Sequence, residues 1–72
     1  MSQNLAEFAR GQIRAEMARQ ELTTTQLAAR LGVSDMWVSR RLRGVTDLEL
    51  TELERIADAL SLPVGIFLER AS

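Results

Sequence analysis

The 72-residue chain contains no cysteine and no histidine. Without cysteine there is no disulfide framework and no thiolate metal site, an absence consistent with a reducing cytoplasm. Without histidine the commonest general base and the commonest metal ligand are both missing, and nucleophiles of the histidine-activated kind cannot be assembled. Asp and Glu remain as the only acid-base groups, with no paired-carboxylate arrangement among them. No catalytic residue, metal, cofactor or small-molecule ligand is therefore expected. No run of about 18 apolar residues occurs, and the opening MSQNLAEF is not a basic stretch followed by an apolar one. The expectation is a soluble cytoplasmic protein that does not engage a membrane. Lysine is absent too: all nine basic residues are arginine. Arginine suits bidentate contact with phosphate or guanine, and a genome rich in G and C would bias the codons the same way.

What is present is ordinary globular material, 46% hydrophobic and 26% charged, of a size for one domain spanning residues 1–72. The net charge of −1 by itself argues against a nucleic-acid partner, because phosphate neutralisation by basic side chains drives such binding. Its distribution argues the other way. Residues 1–22 are balanced, and residues 23–44 carry Arg30, Arg40, Arg41 and Arg43 against Asp35, a balance of +3. Residues 45–72 carry Arg55 and Arg70 against six carboxylates, a balance of −4.

The periodicity predicts a bundle of about five short helices. Leu5, Ala9, Ile13 and Met17 recur every four residues with Phe8 beside them, the stripe of an amphipathic helix from Asn4 to about Gln20. Thr23 and Gln26 have capping-box spacing and Leu22 and Leu27 staple spacing, so a second helix begins at Thr24. Gly32 closes it. Ser34 is an N-cap for a third helix, with Asp35 in its first turn, Val33 and Val38 as a staple, Val38 and Leu42 as its buried face, and Gly44 as its end. Thr51 and Glu54 have the spacing to cap a fourth helix, whose apolar face is Leu53, Ile56, Ala57 and Leu60. Pro63 opens a last short helix containing Val64, Ile66, Phe67 and Leu68. That stripe either closes the monomer core or contacts a second copy. Repeats, low-complexity tracts and linkers are absent.

Two short helices joined by a Gly-containing turn at residues 23–44 have helix-turn-helix geometry, in which the first helix braces the second against DNA. Ala28 permits close approach, Gly32 makes the turn, and Val38 holds the second helix inward. With these residues in place, residues 23–68 resemble the lambda repressor and Cro family of the XRE type. The matching residues are Leu27-Ala28, Gly32-Val33-Ser34, Val38-Ser39-Arg40, Gly44 and the run from Leu53 to Leu60. The resemblance implies an all-α, lambda repressor-like domain that controls transcription, usually as a dimer on a two-fold operator. It also implies a phosphate contact at the start of the second helix, where the family commonly has Gln and this chain has Thr24, whose hydroxyl can still donate.

Burial of Val38 and Leu42 turns Asp35, Met36, Ser39, Arg40 and Arg43 outward. By resemblance Asp35 and Met36 occupy positions that reach base edges. Asp35 can accept from cytosine N4 or merely stabilise its own helix end, Met36 can touch a thymine methyl, and Arg40 can pair with guanine O6 and N7 or with phosphate. Ser39 joins the base-contacting set, and Arg43 matches a family position near the DNA backbone. Trp37 packs either on sugar-phosphate or on the second helix. Arg41 either takes part or pairs with the acidic fourth-helix region. Arg30 contacts phosphate or pairs on the surface.

The function expected is that of a sequence-specific transcriptional regulator, a small phage or prophage type of repressor that binds double-stranded DNA as a homodimer and occludes a promoter. No sensing domain is expected in a chain of this length. An antitoxin that also binds a toxin, and a protein-interaction module that kept the fold without DNA binding, are the alternatives. The operator, the regulated gene and the sense of regulation are not encoded in any motif.

Overall fold

In the computed structural model, which describes residues 4–69, the chain folds into four α-helices followed by a single 3-10 turn. The helices are α1 (Leu5–Arg19), α2 (Thr24–Leu31), α3 (Asp35–Leu42) and α4 (Leu50–Ala59); the 3-10 turn is Val64–Phe67. No strand occurs among the described residues. Arg70 and Ser72 lie outside them.

Each start has a local cause. The Asn4 side chain accepts from the Glu7 N–H at 2.8 Å and opens α1. Thr23 and Gln26 form the capping box: the Gln26 N–H donates to Thr23 Oγ1 and the Thr23 N–H to Gln26 Oε1. The Ser34 hydroxyl accepts from the Trp37 N–H and opens α3. The fourth start differs from the Thr51–Glu54 spacing expected. Helix α4 begins at Leu50, and the Glu49 N–H donates to Glu52 Oε1 at 3.1 Å. Glu52 is held from a second side by Arg41, so tertiary pairing selects which carboxylate serves the helix end.

The helix ends share one design. After each α-helix the chain passes through a left-handed residue, and the next N–H reaches back five residues: Leu22 to Met17, Val33 to Ala28, Val45 to Arg40 and Leu62 to Ala57. Gly32 and Gly44 take that conformation at φ 72° and 78°, as expected. Glu21 and Ser61 take it at φ 54° and 62° without being glycine.

The core is built from Ile13 of α1, Leu27 of α2, Val38 and Leu42 of α3, Leu53 and Ile56 of α4, and Leu60 and Phe67 beyond it. Ala9, Ala28 and Ala57 are also buried, where a small side chain lets helices come close. The expected fifth helix is only a 3-10 turn, with the Ile66 N–H bonded to the Pro63 carbonyl and the Leu68 N–H to the Gly65 carbonyl. A four-residue segment containing Gly65 forms too few bonds to propagate an α-helix. Its Phe67 closes the core, while Ile66 is 37% exposed. Leu5, expected in the buried stripe of α1, is 44% exposed. No helix among the described residues is long and apolar enough to cross a membrane.

Candidate functional site

Helix α3 has three sides. Val38 and Leu42 enter the core. At about 100° per residue, Asp35, Met36, Ser39, Arg40 and Arg43 occupy an arc on the outside, and Trp37 and Arg41 lie about 150° round the axis from the middle of that arc. Asp35, Met36, Arg40 and Arg43 are exposed and Ser39 is half-buried. Met36, at 52% exposure, is a large apolar side chain held in solvent on the same face as two guanidinium groups.

The start of α2 meets this face. Thr25 donates from its hydroxyl to Asp35 Oδ2, tying the first turn of α2 to the first turn of α3. The Asp35 carboxylate therefore has a fixed direction and keeps its other oxygen as an acceptor. Thr24, Ser39 and Arg43 line one open groove of about 420 Å³, which Arg14, Met17 and Leu42 complete. The Arg40 side chain forms no hydrogen bond or ion pair among the described residues, and the Arg43 side chain makes only a long bond of 3.4 Å to the Ser39 carbonyl.

Two of the candidate side chains have partners within the chain. The Trp37 ring, read from sequence as packing on sugar-phosphate or on α2, has the Arg41 guanidinium stacked on it at 3.8 Å from the centroid. Arg41 in turn grips Glu52 with two bonds of 3.0 Å, Nε to Oε1 and Nη2 to Oε2. The Arg41 bond holds the Glu52 carboxyl below its ordinary range despite partial burial, and the Glu49 N–H helps. Trp37 and Arg41 thus form the joint between α3 and α4. This is the acidic-region pairing that sequence offered as one of two fates for Arg41. Arg30, expected at phosphate or in a surface pair, donates instead to the Ala59 carbonyl at 3.0 Å, beside Arg55 and Asp58 on the α4 side of the molecule.

Residues that sequence reasoning passed over also reach this region. Arg10 and Arg14 of α1 donate to the Arg41 and Leu42 carbonyls, at 2.8 and 2.6 Å, and brace the end of α3. Their i, i+4 spacing put both on one face of α1, which was the only signal available.

Among known protein families, a model described as a helix-turn-helix domain matches residues 9–65. No curated protein and no solved structure matches the chain.

Proposed function

The chain belongs to the family of helix-turn-helix domains, and from that premise we propose that it is a sequence-specific regulator of transcription that reads double-stranded DNA with the outer face of α3. The observation that carries this reading is the exposed arc of Asp35, Met36, Ser39 and Arg40, set rigidly by the burial of Val38 and Leu42 and by the bond from Thr25. Arg40 is the guanine-reading side chain, having no other partner among the described residues. Asp35, with one oxygen held by Thr25, accepts from a base amino group, and Met36 contacts a thymine methyl.

Thr24 and Arg43, which line one groove, hold backbone phosphates. Trp37 and Arg30 serve the packing against α4 in this reading rather than the DNA. The kinship we propose is with the lambda repressor and Cro type, on the residues of the turn and of α4 that resemble it. A homodimer on a two-fold operator follows, since one eight-residue recognition helix reads few base pairs. Promoter occlusion needs nothing beyond such binding, and repression by that route is the proposed mode.

Selection of bound sequences from a random duplex library, at low and at near-physiological salt, tests the reading. A two-fold motif with half-sites about one helical turn apart is the expected outcome. Weak binding without enrichment, abolished by salt, would overturn it in favour of a protein-interaction module.

A further inference from the structure

Beside the outer face of α3 lies a second cleft, of about 460 Å³, between α1 and the C-terminal end of α3. It is lined by Glu7, Arg10, Arg14, Leu42 and Arg43, and shares Arg14, Leu42 and Arg43 with the groove that holds Thr24 and Ser39. Three guanidinium groups therefore converge on one opening, and among the described residues none of them forms an ion pair.

Bracing the end of α3, where a cation is favoured, engages only part of these groups. Each carbonyl needs one N–H, and Gln20, the residue that caps the end of α1, serves the Leu60 carbonyl with an uncharged amide at 3.0 Å. Arg10 spends its Nε and Arg14 one Nη1 on the carbonyls, so most of the donors of both groups remain available. The charge balance is favourable as well. Three positive groups face the Glu7 carboxylate and about half an elementary negative charge at the helix end, which leaves about +1.5 in the cleft. The bonds to the carbonyls also fix both guanidiniums in advance.

We propose that this cleft is a phosphate site, in which Arg10 and Arg14 of α1, with Arg43 of α3, seat a phosphate of the DNA backbone flanking the bases read by α3. Helix α1 is then part of the interface. The proposal rests on the DNA-binding reading above. Because phosphate contacts carry no base information, the site adds affinity and register but not sequence preference.

The test compares the full chain with its Arg10→Gln/Arg14→Gln variant, in which the donors remain and the charge is removed, after thermal melting has shown that the variant folds. Binding to the selected duplex is titrated over a range of salt. The expected result is about tenfold weaker binding, a slope of log K against log salt smaller by about 1, and an unchanged enriched motif. An unchanged slope overturns the proposal. Should the double variant not fold, Glu7→Gln replaces it, with Glu54→Gln on α4 as the control for net charge: binding about threefold tighter for Glu7→Gln than for the control supports the site, and equal effects overturn it.

Inorganic phosphate titrated into labelled protein, with the arginine Nε signals observed, separates the two readings. If the chain binds no duplex at all, DNA binding fails. Shifts at Arg10 and Arg14 then assign the cleft to a free phosphate ligand, while their absence overturns the site.

Discussion

At the residue scale the arginines divide by what their guanidiniums touch. Arg10, Arg14, Arg30 and Arg55 each donate to a carbonyl in the last turn of another helix, where the unsatisfied acceptors and the negative helix end both favour a cation. Arg41 stacks on Trp37 and holds Glu52. Arg40 and Arg43 stand apart on the outside of α3. Replacing Arg40 by alanine is expected to weaken binding to the selected duplex by about 1–3 kcal/mol and to relax the motif at one position, whereas Arg43→Ala should weaken all duplexes alike and lower the salt slope by about 1. Gel-shift titrations on matched and mutated sites distinguish the two.

Glu52 makes a different kind of prediction. Its carboxyl titrates below the ordinary value of 4.5 in the folded chain, so the stability it confers is present above that value and is lost as pH falls through the lower, folded one. Glu52→Gln should therefore destabilise by about 1 kcal/mol near neutral pH, a difference that vanishes in acid. Urea midpoints of both chains across that pH range measure it.

At the element scale the four helices end alike, and only two of the ends carry the residue best suited to the conformation. Glu21 and Ser61 sit at positive φ with a Cβ, at a cost of about 1 kcal/mol each relative to glycine. Glu21→Gly, remote from the face proposed to read DNA, should raise the melting temperature by about 4–8 °C without changing duplex affinity. No rise in calorimetry would mean that the Glu21 side chain contributes a compensating contact. The turn from α2 to α3 works by the same means. Gly32 lets the chain reverse, the Ala28 carbonyl takes the Val33 N–H, and Ser34 starts the next helix at once, so only three residues separate the two helices. So short a link leaves the two axes little freedom, and Thr25 reaches Asp35 across it.

At the scale of the whole molecule the chain measures 34 × 24 × 21 Å, so one copy is only about one turn of B-DNA in its longest dimension. It can present α3 to one segment of major groove and no more. Two copies on one duplex are expected, and sedimentation with a duplex carrying both half-sites should give a 2:1 complex while a single half-site gives 1:1. A 1:1 complex on both duplexes would remove the dimer from the proposal. The core that carries α3 is small, and Leu27→Ala, which empties part of it, should cost about 2–5 kcal/mol and abolish duplex binding through unfolding rather than through any lost contact. Melting curves and affinity should then fall together, unlike those of Arg40→Ala.

The sequence alone determined what depends on neighbours within a few residues. Caps at Thr23 and Ser34, glycines at Gly32 and Gly44, and apolar residues recurring at helical spacing are local signals, and helices α2 and α3 begin and end where those signals stand. The outward set on α3 followed from the same periodicity once Val38 and Leu42 were assigned to the core. Tertiary structure decided what depends on partners distant in the chain. The spacing of Thr51 and Glu54 was the local signal for the start of α4, but the helix opens at Glu49, whose N–H donates to the carboxylate that Arg41 holds in place. Arg30, Arg10 and Arg14 are long side chains whose direction is set by carbonyls 28 or more residues away, and spacing along one helix carries no record of those.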